Sequence, residues 1–556
     1  MLRSFCAPLV LCVAALACPS LAVAANEGQE DLDKATEMQL AAETFADLEK
    51  VIELAESALK KGLDKGQEDF AKQLLAATLY QHANRAASSI FEQTPPSPRW
   101  PQTRKFALDD LEKAKKYDPK LPDVYLLEAK LQVLPGGDAK ASRAAIDEAV
   151  KLLTASDNVR QLSKALVLRA AMTEELDKKL ADFDAAVKAD PANTSAWQGR
   201  ALVYLEKGET EKAVADLLTL VEKDPDNPAP IAALAEALTN LKKYDEALAH
   251  CNKVIELAPR STLGYNLRAR IQIMKDDLKA AIKDLDEALK LDSDDLAALL
   301  MRSRLHAAEG NDALAKADVE KALALRPDLP QAILLRSLLA AQQKKYGEAI
   351  GDLKLLLQTD PTNAEYRLQL AAYLVGDNRP RRAIEMLTAI IEGMGDNLDD
   401  DQKQIKANAL RARGDAQLSV GKHAEAVADY DKSLQLDPED TGVLNNLAWV
   451  LATSPDDAVR NAGRSIELGT KACDLTKFER PHIISTLAAG YAEKGDWETA
   501  IKWSTKAVEL GANEADVSEQ LKKELESYQQ KKPWREKQEI EENTKPLDGA
   551  PSELET

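Results

Sequence analysis

The fold is decided by residues 194–227, which read TSAWQGRALVYLEKGETEKAVADLLTLVEKDPDN. The first half of this stretch carries apolar residues at helical spacing, Gly208 interrupts it, and a second apolar stripe follows before Pro225. The two stripes consist of Trp197, Ala201 and Tyr204, and of Ala213, Leu217 and Leu220. This pattern predicts two amphipathic helices that are joined by a short turn.

The unit repeats with a constant period. One register of small residues runs through Ala213, Ala247, Ala281, Ala315, Ala349 and Ala383, in steps of 34. A second register runs through Ala201, Ala235, Ala269, Ser303, Ser337 and Ala371, again in steps of 34. Small residues in both helices allow the backbones to approach closely. Because a single unit cannot bury its apolar face, the units are expected to stack into an array.

These registers, together with Trp197, Tyr204 and the prolines that end the units, resemble the tetratricopeptide repeat. The resemblance implies an all-α fold, a right-handed superhelical α-solenoid of helix–turn–helix repeats. It also implies that the first helices of the units line a concave groove that binds a peptide or protein segment. No cofactor is implied by the resemblance.

The chain divides into segments of different character, with about twelve repeat units in all. We predict a signal peptide over residues 1–25, irregular helical repeats over 26–159, the regular array over 160–397, a linker loop over 398–406, further repeats over 407–514, a capping helix over 515–532 and a disordered acidic tail over 533–556. The stretch LNNLAWVLATSPDD and the later KKPWRE resemble the ending of a group of exported bacterial proteins with these repeats.

The N-terminus is typical of an exported protein. Arg3 precedes an apolar stretch over residues 5–17, and Ala22-Val23-Ala24 has the small-x-small pattern of a cleavage site. We therefore expect a periplasmic or extracellular protein. We do not expect lipidation of Cys18, because Ala15 stands where lipoprotein signals usually carry Leu.

Composition excludes several classes of partner and site. The net charge is −20 over 556 residues, and an acidic surface repels nucleic acid. Beyond the N-terminus no stretch is long and apolar enough to predict a membrane span. Outside the signal segment the cysteines are Cys251 and Cys473, which lie in distant units, so we expect two buried thiols and neither a disulfide nor a thiolate metal site.

Arginines and aspartates recur together within the units. The pairs with a constant spacing of 16 are Arg200 and Asp216, Arg268 and Asp284, Arg302 and Asp318, Arg336 and Asp352, and Arg413 and Asp429, while Arg169 and Asp182 have a spacing of 13. Because a guanidinium fork matches a carboxylate, we predict a structural ion pair between the two helices of each unit. The alternative interpretation is a ladder of arginines that binds anions.

The positions that would face the groove are of mixed character. The candidate contacts are Leu202, Asn266, Arg270, Arg304 and Leu338. The two arginines occupy equivalent positions in adjacent units, where a carboxylate or acidic segment would fit. The alternative is that these groove residues are solvated and have no dedicated ligand.

The sequence contains no enzyme motif that we can identify. None of its five histidines lies in H-E-x-x-H, and G-x-S-x-G does not occur. The leading hypothesis is a non-catalytic scaffold that binds a protein or peptide partner. One alternative is a structural subunit of a cell-envelope assembly. Another is an enzyme with a site in the irregular region, which would require convergent titratable groups between Leu32 and Pro122.

Overall fold

The computed structural model describes residues 27–92, 97–395, 398–512, 515–536 and 542–543, with the backbone alone for residues 515–518. The predicted signal peptide and the Cys18 question lie outside these residues. So do residues 396–397 and most of the predicted tail.

The described residues form an all-α helical repeat solenoid that divides after Pro259 into two units. Unit 1 contains the helices α1 Gln29–Ala41, α2 Phe45–Lys61, α3 Lys65–Phe91, α4 Trp100–Tyr117, α5 Pro122–Gln132, α6 Ala139–Thr154, α7 Val159–Ala171, α8 Leu176–Ala189, α9 Thr194–Glu206, α10 Thr210–Lys223, α11 Pro228–Asn240 and α12 Tyr244–Leu257. Each odd-numbered helix packs against the even-numbered helix that follows it.

Unit 2 continues the same alternation and ends in a single helix. Its helices are α13 Leu263–Met274, α14 Leu278–Leu291, α15 Leu296–Ala308, α16 Asp312–Leu325, α17 Pro330–Gln342, α18 Tyr346–Thr359, α19 Ala364–Gly376, α20 Pro380–Gly393, α21 Asp400–Ser419, α22 His423–Leu436, α23 Thr441–Thr453, α24 Ala462–Leu475, α25 Pro481–Lys494, α26 Trp497–Leu510 and α27 Ala515–Gln529. The last helix, α27, packs on α26 and α25.

The two small-residue registers lie where the paired helices touch. All twelve of these side chains are at most 1% exposed. At Ser303 the close approach also forms a hydrogen bond, because its Oγ donates to the Ala315 carbonyl oxygen at 2.8 Å. Packing between neighbouring units is equally close, since a Cβ at Gly199 on α9 would lie 2.2 Å from the Phe183 ring on α8 of the preceding unit. The constant sequence period therefore sets a close contact between the two helices of every unit.

The turns inside the regular units share a left-handed residue. The positions are Gly208, Lys242, Asp276, Gly310, Lys344 and Asn378, with φ values of 74°, 59°, 63°, 76°, 58° and 58°. They recur in the same steps of 34 as the small residues. Side chains with a Cβ are disfavoured in this conformation, so the turns at the two lysines and at Asp276 are strained relative to those at glycine.

The helices of the structure can be compared with three of the predicted segments. The prediction of a linker loop over residues 398–406 is wrong, because a helix starts at Asp400. Asp399 caps this helix and exchanges capping hydrogen bonds with Gln402. The irregular region over 26–159 comprises α1 to α6, with the first two as an additional helix pair. The predicted capping helix ends at Gln529.

Two further expectations concern the interior and the membrane. The side chains of Cys251 and Cys473 are both buried, as expected. Burial raises the pKa of Cys473 to about 12. No helix among the described residues is both long and apolar enough to cross a bilayer.

Candidate functional site

The six arginine–aspartate pairs form two-point ion pairs between the helices of a unit. In each, the guanidinium donates through Nε to Oδ2 and through Nη2 to Oδ1, at distances from 2.5 to 2.9 Å. The carboxylates are buried, with exposures from 3% to 9%. These bonds to aspartate raise the pKa of Arg169, Arg200, Arg302 and Arg336.

Several of these arginines also reach the second helix of the preceding unit. Nη1 of Arg200 bonds Asp184 at 2.8 Å, and Nη1 of Arg302 bonds Asp286 at 2.6 Å. Arg169 reaches Asp147 at 3.3 Å, and Arg413 donates to a threonine hydroxyl at 3.0 Å. One arginine therefore ties three helices together. The anion-ladder interpretation loses its basis, because the guanidinium groups are occupied by the protein's own acceptors.

Within each unit, we call the surface formed by the odd-numbered helices the first-helix face of that unit. All five groove candidates lie on odd-numbered helices. Leu202 is 58% exposed and Leu338 is 40% exposed, while Arg270 and Arg304 are exposed. Asn266 is half-buried, and its side-chain amide donates to Asp295 at 2.7 Å. This hydrogen bond joins neighbouring repeats, so the amide group is not fully available to a ligand. None of the five lines a cavity described below.

Unit 1 has a cavity of about 410 Å³ on its first-helix face. Its walls come from α3, α5 and α7. Gln161 donates to Asp123 across two of these helices at 2.6 Å. Burial raises the pKa of Asp123 and raises that of Tyr80 to about 12. Sequence reasoning misses this site because it lies in irregular repeats, where no register marks the inward positions.

The rim of this cavity, which we call the basic cavity, is positively charged. Lys130, Arg160 and Lys164 are exposed, and none of them forms an ion pair within the described part of the chain. Many other basic side chains are paired with acids, as at Lys115 and Glu128. Three such cations on one concave surface are notable in a chain of net charge −20, and they favour an anionic ligand.

Unit 2 carries two further cavities on its first-helix face. One of about 350 Å³ lies between α19 and α21, where Arg411 and Asp415 are among the lining residues. The other, of about 380 Å³, is formed by α23, α25 and the capping helix α27. We call the latter the C-terminal cavity. Its polar wall includes Asn445, Ser485 and Glu524.

The two C-terminal sequence motifs contact one another beside this cavity. Trp449 donates its indole N–H to Glu536, whose backbone N–H donates to the Thr453 carbonyl oxygen at 3.0 Å. Arg535 pairs with Glu493 at 2.6 Å, and Trp534 packs against the aromatic cluster of the last repeat. The prediction of disorder from residue 533 onward is therefore wrong for residues 533–536, because an aromatic anchor and an ion pair fix them.

The irregular N-terminal region does bring two titratable groups together. Nδ1 of His82 and Oδ2 of Asp110 are 2.7 Å apart, and both side chains are buried. The His82 ring is 3.9 Å from the ring of Phe45, centroid to centroid. Burial raises the pKa of Asp110. The pair does not line the basic cavity, so it does not form a substrate site with it.

Comparison with known families agrees with this architecture of repeated helix pairs. Family profiles described as "Tetratricopeptide repeat" match residues 180–228, 215–271, 264–295 and 407–440. The chain is a tetratricopeptide-repeat protein. Proteins built from these repeats generally serve as scaffolds for protein–protein interaction, and that general role applies here.

Individual relatives are distant. The chain is 28% identical over 129 residues to human tetratricopeptide repeat protein 13, covering 22% of this chain and 15% of that protein. It is 23% identical over 275 residues to bovine DnaJ homolog subfamily C member 3, and this match covers 48% of this chain and 49% of that protein. The alignment with a solved structure of a tetratricopeptide repeat protein from Parabacteroides merdae covers 45% of this chain and 95% of that one. The sequence identity is 18% and the TM-score is 0.36. The chain thus spans about half or less of the length of these curated relatives.

Proposed function

We propose that this protein is a non-catalytic scaffold that binds an extended acidic segment of a partner protein in the basic cavity of unit 1. This proposal is supported by three exposed cations around the cavity of about 410 Å³, namely Lys130, Arg160 and Lys164. None of the three forms an ion pair with another described residue. An extended segment would place carboxylates near these cations and backbone groups near the polar wall. Such binding weakens with salt, because exposed charges are screened.

A charge-reversal experiment tests this role. The probe is a fluorescein-labelled peptide of alternating Asp and Glu residues, and the readout is fluorescence polarisation at low and high salt. Arg160→Glu combined with Lys164→Glu should weaken binding by about tenfold or more, because two attractive contacts become repulsive. Lys188→Glu, an exposed change on the second helix α8, is the matched control and should have little effect.

The same variants identify natural partners. Proteins captured by the wild-type chain and the Lys188→Glu control, but not by the double variant, would be ligands of the basic cavity. Equal binding of the acidic peptide by all three proteins would refute the proposal. Equal binding of acidic and neutral peptides by the wild-type chain would refute it as well.

We also propose that the protein acts outside the cytoplasm. The support is the pattern of Arg3, the apolar stretch over 5–17 and the Ala22-Val23-Ala24 site. Mass spectrometry of the protein from fractionated cells should find an N-terminus near residue 25 in the periplasm or the medium. Intact Met1 in the cytoplasmic fraction would contradict export. Stoichiometric co-purification with envelope proteins at high salt would favour the alternative, a structural subunit of an envelope assembly.

A further inference from the structure

The C-terminal cavity contains a buried acid that has no cationic partner in the part of the chain that the structure describes. Glu524 is 1% exposed. The partners that the structure gives its carboxyl are neutral: the hydroxyl of Ser485, and the amide of Gln520, which donates at 2.9 Å. Burial raises the pKa of Glu524, and nearby Glu536 acts in the same direction. A buried carboxylate without a cation is costly, so this wall of the cavity favours an incoming positive charge.

The cavity wall also contains a hydrogen-bond acceptor that is unsatisfied among the described residues. Oδ1 of Asn445 is buried and has no hydrogen-bond partner among the described residues, while its amide group donates to Asn446 at 3.3 Å. Asn445 lies on α23 and Glu524 on α27, so the two acceptors approach from different helices. Such an orphan acceptor is expected to be paired when a ligand with a donor enters.

The remaining walls of the cavity are mixed. Asn446, His482 and Thr486 are polar, while Trp449 and Leu521 supply the apolar surface that an alkyl chain would contact. A lysine side chain combines four methylene groups with a compact ammonium that carries three donors, whereas the arginine fork is planar and suits a single carboxylate. The volume of about 380 Å³ is ample for such a side chain with some of its flanking backbone.

We propose that the C-terminal cavity binds a lysine side chain of a partner protein, with Glu524 and Asn445 accepting from its ammonium and Trp449 and Leu521 covering its stem. This inference deepens the proposed function, since it rests on the first-helix face being the binding surface. Each unit then has one candidate site on its own odd-numbered helices, and the two sites prefer ligands of opposite charge.

The experiment uses the whole chain and acetylated, amidated pentapeptides of sequence Gly-Gly-X-Gly-Gly, followed by saturation-transfer NMR titration. The peptide with X as lysine should bind about tenfold more tightly than those with norleucine or acetyl-lysine, because only lysine supplies the charged donor. Arginine should bind less well than lysine. Glu524→Gln should weaken lysine binding by a similar factor, and Glu526→Gln, an exposed change on the same helix, should not.

A second variant and a shortened chain keep the test decisive. If Glu524→Gln perturbs folding, as judged by circular dichroism, Asn445→Ala removes the other acceptor at a partly exposed position and should also weaken lysine binding. Equal binding of the lysine and norleucine peptides would overturn the proposal. Lysine binding that appears only after removal of residues 537–556 would assign the cavity to the chain's own tail and would also overturn it. Failure of the wild-type chain to bind the acidic peptide would refute the basic cavity as a binding site and leave this inference intact.

Discussion

Replacement of Arg302 by methionine should destabilise the repeat that contains α15 and α16. The guanidinium lies 2.8 and 2.6 Å from the two carboxylate oxygens of Asp318, and it also bonds Asp286 of the preceding unit at 2.6 Å. The methionine variant would leave the Asp318 carboxylate, in a residue that is 6% exposed, without its cation. Asp286 remains 44% exposed through its side chain and can be hydrated.

The magnitude follows from burial. Breaking a fully buried pair costs about 3–5 kcal/mol, and breaking an exposed pair costs about 0–1 kcal/mol. Because the Arg302 side chain keeps 23% exposure, we expect a loss of about 2–3 kcal/mol in the free energy of opening this repeat. Asp286→Ala should cost less than about 1 kcal/mol.

Hydrogen exchange measured by mass spectrometry is the appropriate assay, because repeat arrays open locally and do not unfold in a single step. Exchange in α15 and α16 should accelerate in Arg302→Met. The double variant Arg302→Met with Asp318→Leu should recover most of the protection, since an apolar pair replaces a buried ion pair at little net cost. The interpretation of Arg302 as a structural brace is refuted if Arg302→Met leaves exchange unchanged. It is also refuted if the double variant is as unstable as the single one.

Three further predictions concern other parts of the chain. Cys473, whose pKa is raised to about 12 by burial, should not react with a disulfide reagent at neutral pH until urea is added, and rapid native labelling would contradict its position in the core. Lys344→Gly should stabilise its turn by about 0.5–1 kcal/mol while Gly310→Ala should destabilise the equivalent turn by about 1 kcal/mol, as measured by local exchange rates, and opposite signs would contradict the left-handed assignment. Trp534→Ala should destabilise the docked C-terminal segment by about 1–2 kcal/mol and increase exchange in α27, whereas unchanged exchange would show that the segment contributes no stability.

The regular array can be read from the sequence because every unit repeats the same contact. A buried small residue recurs every 34 positions in the register that contains Ala213. The period therefore indicates both the helix pair and its close packing. The arginine–aspartate spacing indicates an ion pair for the same reason. Its second partner, such as Asp184 for Arg200, escapes prediction because an exposed acid on a helix surface has no distinguishing local signal.

Other features depend on contacts that leave no periodic trace. The Asp- and Gly-rich segment before Asp400 suggests a linker by composition, although Asp399 and Gln402 have the spacing of a helix cap. Lys242 and Lys344 adopt a left-handed turn that sequence composition assigns to glycine. The cavities are not predicted at all. The basic cavity and the C-terminal cavity are each lined by residues from three helices, and for the irregular repeats of the basic cavity nothing in the sequence relates those helices to one another.

The central claim, that partners bind on the first-helix face, is tested most directly by photo-crosslinking in cells that produce the protein. A benzophenone amino acid would replace Leu126 or Leu168, which line the basic cavity, or Leu218, which is 43% exposed on the second helix α10. Crosslinked partner adducts are expected from the two cavity positions and none from Leu218. Adducts formed only from Leu218 would contradict this claim, as would the absence of adducts from both cavity positions.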